Sequence, residues 1–170
     1  MKNKLTKLFV LLIFIVSSCE DDEKTGLEVL ENAAIVTFEV IDEDININPS
    51  NIQDFKAVID AYQDVETYSL SVSRVSQGVS SDTIPFNTYR NFPLVLNISI
   101  EDLANTFNIS ADDIIEGDEF DFEGTTVAFD GTTYTFQNFD DGSGFIPGVS
   151  SLQFNSDGYR FSIEIVNEED

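Results

Sequence analysis

Residues 67–75 alternate strictly: Tyr68, Leu70 and Val72 fall on one side of an extended chain, and Thr67, Ser69, Ser71 and Ser73 on the other. Only a strand sends successive side chains to opposite faces, so this stretch predicts a strand with one face in a core and the other in water. The same period recurs. Val36, Phe38 and Val40 share a face in residues 35–41, as do Phe55, Ala57, Ile59 and Ala61 against Lys56 and Asp60. Leu94, Leu96, Ile98 and Ile100 repeat the pattern, and Tyr159, Phe161, Ile163 and Ile165 close the chain with it. Polar or Gly/Ser/Asn-rich connections are expected at residues 42–51, 76–90 and 138–148.

Two interruptions carry their own signals. Ser99 with Asp102 three residues on resembles a capping box, and Leu103 and Phe107 lie one helical turn apart, which predicts a short helical connector near residues 101–107. A smaller turn at residues 110–115 is ended by Gly117. Phe120 and Phe122 share a face, but the apolar phase shifts beyond Gly124, so a bulge is expected there. Asp130-Gly131 reads as a two-residue type I′ turn that pairs Phe129 with Thr132 and Val127 with Tyr134. Seven or so short strands with almost no helix argue an all-β chain folded as a single Ig-like, Greek-key β-sandwich over residues 33–170. A small calycin-like β-barrel is the competing architecture. A lone cysteine rules out an internal disulfide, so packing must hold the domain, and 15 Phe supply the bulk.

The first 23 residues carry a different message. Lys2, Lys4 and Lys7 precede nine apolar residues, 8–16, a run too short to cross a bilayer as a helix and of the right length for a secretory signal. Val16-Ser17-Ser18-Cys19 then reads as a lipobox. Small residues admit the peptidase, and the thiol accepts a diacylglycerol before cleavage leaves Cys19 as the acylated N-terminus. Residues 1–18 are thus expected to be a lipoprotein signal peptide and 19–32 a lipidated acidic tether. Two or more acyl chains make such attachment stable, since each buried methylene contributes about 0.8 kcal/mol.

Cleavage before Cys19 removes three Lys and no acid, leaving five Lys and Arg against 32 Asp and Glu, or −27. Nucleic acid is excluded as a partner, because phosphate binding needs a basic footprint. Direct contact with anionic headgroups is disfavoured for the same reason. The chain has no His, and its one thiol is expected to be acylated, so Ser-His-Asp and Cys-His chemistry are absent and no enzymatic activity is expected.

Binding candidates remain. Asp140, Asp141 and Ser143 form an acidic loop offering oxygen ligands to a structural calcium, although they do not match the EF-hand spacing; no other cofactor is implied. Phe86, Tyr89, Arg90 and Phe92 in one connection, and Phe139 and Phe145 in another, are candidate ligand-facing side chains; capping the core edge is the commoner role of such aromatics. Asp82-Thr83-Ile84 offers Thr83 as a candidate O-glycosylation acceptor.

The stretch from Phe92 to Tyr134 resembles a pattern in small Bacteroidota surface lipoproteins encoded beside SusC/SusD-like uptake systems. It runs from a strand through a helical turn to Gly117-Asp118-Glu119-Phe120-Asp121-Phe122 and then to the Asp130-Gly131-Thr132-Thr133-Tyr134 hairpin. The resemblance implies an Ig-like fold and an outer-membrane location facing the extracellular side. In the same group, the acidic run Glu20, Asp21, Asp22 and Glu23 after the lipidated cysteine resembles a surface-export signal. The expected role is an accessory binding or interaction module of such a nutrient system, with a polysaccharide or the transporter proteins as partners. The alternative is a structural or adhesive surface protein that binds another protein.

Overall fold

The computed structural model describes residues 34–62, 64–136 and 158–168. Among the described residues ten strands form in chain order: β1 (Ile35–Asp42), β2 (Ile45–Asn46), β3 (Phe55–Tyr62), β4 (Val65–Ser76), β5 (Val79–Ser80), β6 (Ile84–Tyr89), β7 (Leu94–Ile98), β8 (Glu119–Ala128), β9 (Thr133–Thr135) and β10 (Arg160–Val166). One α-helix, α1 (Ile100–Phe107), and a 3₁₀ turn (Ala111–Asp113) join β7 to β8.

The strands divide into two sheets that do not close into a barrel. One is β1-β3-β7, antiparallel throughout. In the other, β10, β8 and β4 lie side by side. β6 and β5 share the outer edge of β4, while β9 and β10 share the outer edge of β8. The chain changes sheets from β3 to β4, from β6 to β7 and from β7 to β8, and returns to pair with an earlier strand, β7 with β3 and β8 with β4. This is Greek-key wiring, and the two packed sheets make an all-β sandwich. The first strand obeys it as well: after β1, the chain crosses over and β2 pairs in parallel with β10, Ile45 opposite Ile165.

The alternating residues explain the layers. Val36, Phe38, Phe55, Ala57 and Ile59 on one sheet, and Tyr68, Leu70, Val72, Phe120, Phe122 and Ile163 on the other, enter one buried core. Phe161 ties the two together. Its ring lies 4.8 Å from Phe38 and 5.5 Å from Phe55 across the gap, and stacks on Phe122 beside it at 4.8 Å. Such centroid spacings suit offset aromatic contacts. The capping box forms in full, with Ser99 Oγ accepting from the Asp102 amide and the Asp102 carboxylate accepting from the Ser99 amide. The helix then seals the core edge with Leu103 and lays Phe107 near Phe120 at 5.7 Å.

Three expectations need correction. First, residues 76–90 are more than a connection, because β5 and β6 lie within them. Second, Gly124 carries no bulge. Phe120, Phe122, Gly124, Thr126 and Ala128 all face inward in one unbroken phase, and the register shift lies across the ladder between Val65 and Thr67. The glycine is required by close approach: a Cβ there would sit 2.3 Å from the Gly158 carbonyl oxygen and 2.9 Å from Tyr68 Cε2. Third, the β8–β9 hairpin is not type I′, since Asp130 has no positive φ. Gly131 donates to the Ala128 carbonyl and Ala128 donates to Thr132, with Gly131 at φ 87°. That is a three-residue loop closed by a left-handed glycine. The register shifts by one, pairing Val127 with Thr133, and Phe129 leaves the apolar face for the hairpin tip.

The wiring gives the domain two distinct poles. At the near pole the described chain begins at Ala34, Ile35 pairs with Tyr62, and the β3–β4 turn, residues 90–93 and the β8–β9 hairpin gather. At the far pole lie residues 42–54, the β4–β5 turn, residues 108–118 and the end of β10.

Candidate functional site

A buried hydroxyl network fixes the near pole. Thr126 Oγ1 donates to the Ala34 carbonyl at 2.6 Å and lies 3.1 Å from Tyr159 Oη. Because Thr126 has one proton and it is committed to Ala34, Tyr159 is the donor of the second bond. Burial pushes the Tyr159 phenol up to about 12, even though its contacts with Thr126 and the Val36 backbone pull the other way. Tyr68 Oη donates to the Gly158 carbonyl, and burial raises its pKa further still. The start of β1 is thereby tied to β8, two residues before the hairpin begins.

Asp118 is the corresponding lock at the far pole. Its side chain is only 1 % exposed and accepts from the Arg74 guanidinium and from the Ile115 amide. Burial alone would raise this carboxyl. Hydrogen bonds from Ser76, Arg74 and the Ile115 amide outweigh that effect and hold it below the usual carboxylate range. The same Arg74 also donates to the Asp113 carbonyl, so the 3₁₀ turn, β4 and the start of β8 meet at one ion pair. The Gly117-Asp118 pair is thus a structural clasp.

The outer face of the larger sheet is hydroxylic. Thr88, Ser69, Thr125 and Thr135 stand side by side across β6, β4, β8 and β9, with Ser69 Oγ 2.9 Å from Thr88 Oγ1. A shallow trough of about 620 Å³ runs along Ser69, Ser71 and Asn87. It adjoins a notch of about 230 Å³ where β9 stops and β10 begins. Arg160 borders that notch, its guanidinium 4.7 Å over the Phe136 ring and 3.1 Å from Glu123.

The described residues among those singled out in the sequence do not converge on one site. Phe86 is turned edge-on to Phe122 at 5.3 Å, Tyr89 stacks near Tyr68 at 6.3 Å, and Phe92 joins them against the core. Arg90 is exposed at the near pole and pairs with Glu66 at 3.1 Å. Thr83 is exposed where β6 begins, toward the far pole. Cys19, the acids at 20–23, Phe139, Phe145, Asp140, Asp141 and Ser143 lie outside the described residues. Among the described residues no group of three or more carboxylates is placed to hold a metal ion, and every buried side-chain nitrogen and oxygen has a hydrogen-bond partner.

Sequence reasoning missed the exposed aromatics of the near pole. Phe129 is 71 % exposed and Tyr62 45 %. The signal was Asp130-Gly131 itself: a three-residue loop closing on that glycine puts Phe129 at the tip. No protein-family model matches the chain, and no curated protein matches it in sequence.

Proposed function

We propose that this chain is a non-enzymatic, lipid-anchored protein of the outer-membrane surface whose single sandwich is an accessory binding or interaction module of a SusC/SusD-like nutrient uptake system. The observation that carries the reading is Val16-Ser17-Ser18-Cys19 behind a basic, then apolar, leader and ahead of four acids. The described fold is compatible with it: the first described strand begins at Ile35 and Ala34 is already buried in the core, so residues 20–33 lie between the acylated cysteine and the described domain. The hydroxylic trough across β6, β4 and β8 gives a neutral polyol such as a polysaccharide hydrogen-bonding partners without charge.

A second reading, a structural or adhesive protein that binds another protein, is favoured by one observation. Phe86, Tyr89 and Phe92 pack on the core, which leaves no broad aromatic platform for sugar rings on those residues. Cys19→Ala tests the anchor: the variant should lose acylation and leave the membrane fraction while its domain stays folded. Persistence in the membrane overturns the proposal. Calorimetry of the domain against neutral polysaccharides, alongside co-purification of protein partners, separates the two roles.

A further inference from the structure

We propose that the near pole is the face this domain lays against a lipid surface, with Phe129 and Tyr62 seated at headgroup level; this rests on the lipid anchor proposed above. Phe129 is held there by the backbone, since its amide donates to the Asp64 carbonyl at 3.2 Å and fixes the hairpin tip against the turn that follows Tyr62. The two rings stand 71 % and 45 % exposed on a domain that buries its other described aromatics at least partly. Aromatic side chains with one face in water and one in an apolar medium suit the boundary layer of a bilayer.

Chain length points the same way. Fourteen residues separate Cys19 from Ala34, so the tether reaches at most about 50 Å. β4 runs the length of the domain in 12 residues, about 40 Å from pole to pole. Ala34 is fixed at the near pole by Thr126, so that pole meets the surface with tether to spare. Bringing the far pole down would stretch nearly the whole tether along the body of the domain, at a large loss of chain freedom.

Charge sorts the poles as well. The far pole carries residues 42–44, 112–119 and Glu168, a concentration of carboxylates with Lys56 and Arg74 paired among them, whereas the near pole has Asp60, Asp64, Glu66 and Asp130 with Arg90 paired among them. Ile52 and Val79 are as exposed as Phe129 but stand at this more acidic end. An anionic surface therefore repels the far pole more strongly; a zwitterionic one carries no net charge, and there the exposed rings and the short tether set the orientation.

The chain contains no Trp, which makes a clean reporter available. Acylated full-length protein carrying Phe129→Trp is reconstituted on phosphatidylcholine vesicles with brominated acyl chains, beside Val79→Trp as the far-pole counterpart. Both positions are exposed, so neither change disturbs the core. The expected result is blue-shifted, bromine-quenched emission for Phe129→Trp and none for Val79→Trp. Vesicle-bound protein whose two variants are equally unquenched, or equally quenched, overturns the orientation while leaving the anchor intact. Acylated protein that fails to float with vesicles overturns both.

Discussion

Gly124→Ala is the most demanding test of the fold described above. In an ordinary strand the change stabilises by about 0.5–1 kcal/mol, because alanine loses less backbone freedom on folding. Here the added methyl would sit 2.3 Å from the Gly158 carbonyl oxygen, 2.9 Å from Tyr68 Cε2 and 3.0 Å from Tyr68 Oη. Relief needs a shift of about 1 Å in backbone or in a buried ring, and overpacking of that kind costs about 1–3 kcal/mol. Either movement also strains the bond from Tyr68 to the Gly158 carbonyl and the one from the Gly124 amide to Tyr159 at 2.9 Å. A buried carbonyl left unpaired costs about 1–3 kcal/mol more. A net loss of about 3 kcal/mol is expected, which lowers Tm by about 12 °C for a domain of this size. Urea unfolding followed by circular dichroism should show a lower midpoint with an unchanged slope. Tyr68→Phe removes the same hydrogen bond from the other side, so the double variant should lose clearly less than the sum of the two single changes. A neutral or stabilising Gly124→Ala, or strict additivity with Tyr68→Phe, would falsify the close approach of β8 to residue 158.

Further outcomes follow from the other locks. Asp118→Asn should cost about 3 kcal/mol by chemical denaturation, near the lower end for breaking a buried pair because Arg74 keeps some access to water; a loss under about 0.5 kcal/mol would show that the clasp is ornamental. The Asp118 carboxyl is held below its ordinary value, so its contribution is complete above about pH 4 and fades as pH falls through the folded pKa. The acid limb of the stability profile should therefore flatten in Asp118→Asn. Tyr159 titrates at about 12 when folded and about 10 when unfolded, so its contribution is present below about pH 10 and lost above it; Tyr159→Phe should remove that part of the alkaline transition. Ser99→Ala should cost about 1 kcal/mol by removing the helix cap, read by thermal unfolding.

The strands that sequence alternation located are those with one clean buried face, β1, β3, β4, β7 and β10. Where alternation misled, a polar residue faced inward or an apolar one outward. Thr126 is fully buried because Ala34 and Tyr159 satisfy its hydroxyl, while Val127 and Phe129 turn outward. Hydrophobicity alone therefore reverses the phase of β8 beyond Gly124. β6 escaped notice because its inward residues, Ile84, Phe86 and Tyr89, are spaced two and then three apart. The register shift opposite Leu70 and Ser71 produces that spacing, and Pro85 marks an edge strand. The proposed anchor rests on a contiguous string, the form in which processing chemistry reads its signals, so sequence alone is enough to suggest it. The near pole is not, since Tyr62, Arg90 and Phe129 meet only once the order of strands is known.

Each of the four described cations is already engaged: Lys56 with Asp42, Arg74 with Asp118, Arg90 with Glu66 and Arg160 with Glu123. A chain with 32 acids and eight bases thus offers a neighbouring copy no unengaged positive group among its described residues. Two copies approaching within a Debye length, about 8 Å in physiological salt, meet repulsion from most directions. At high local concentration such molecules space themselves apart, each keeping a margin of water and counterions. That spacing should narrow as ionic strength rises, and divalent cations, which can bridge carboxylates on adjacent copies, should narrow it most.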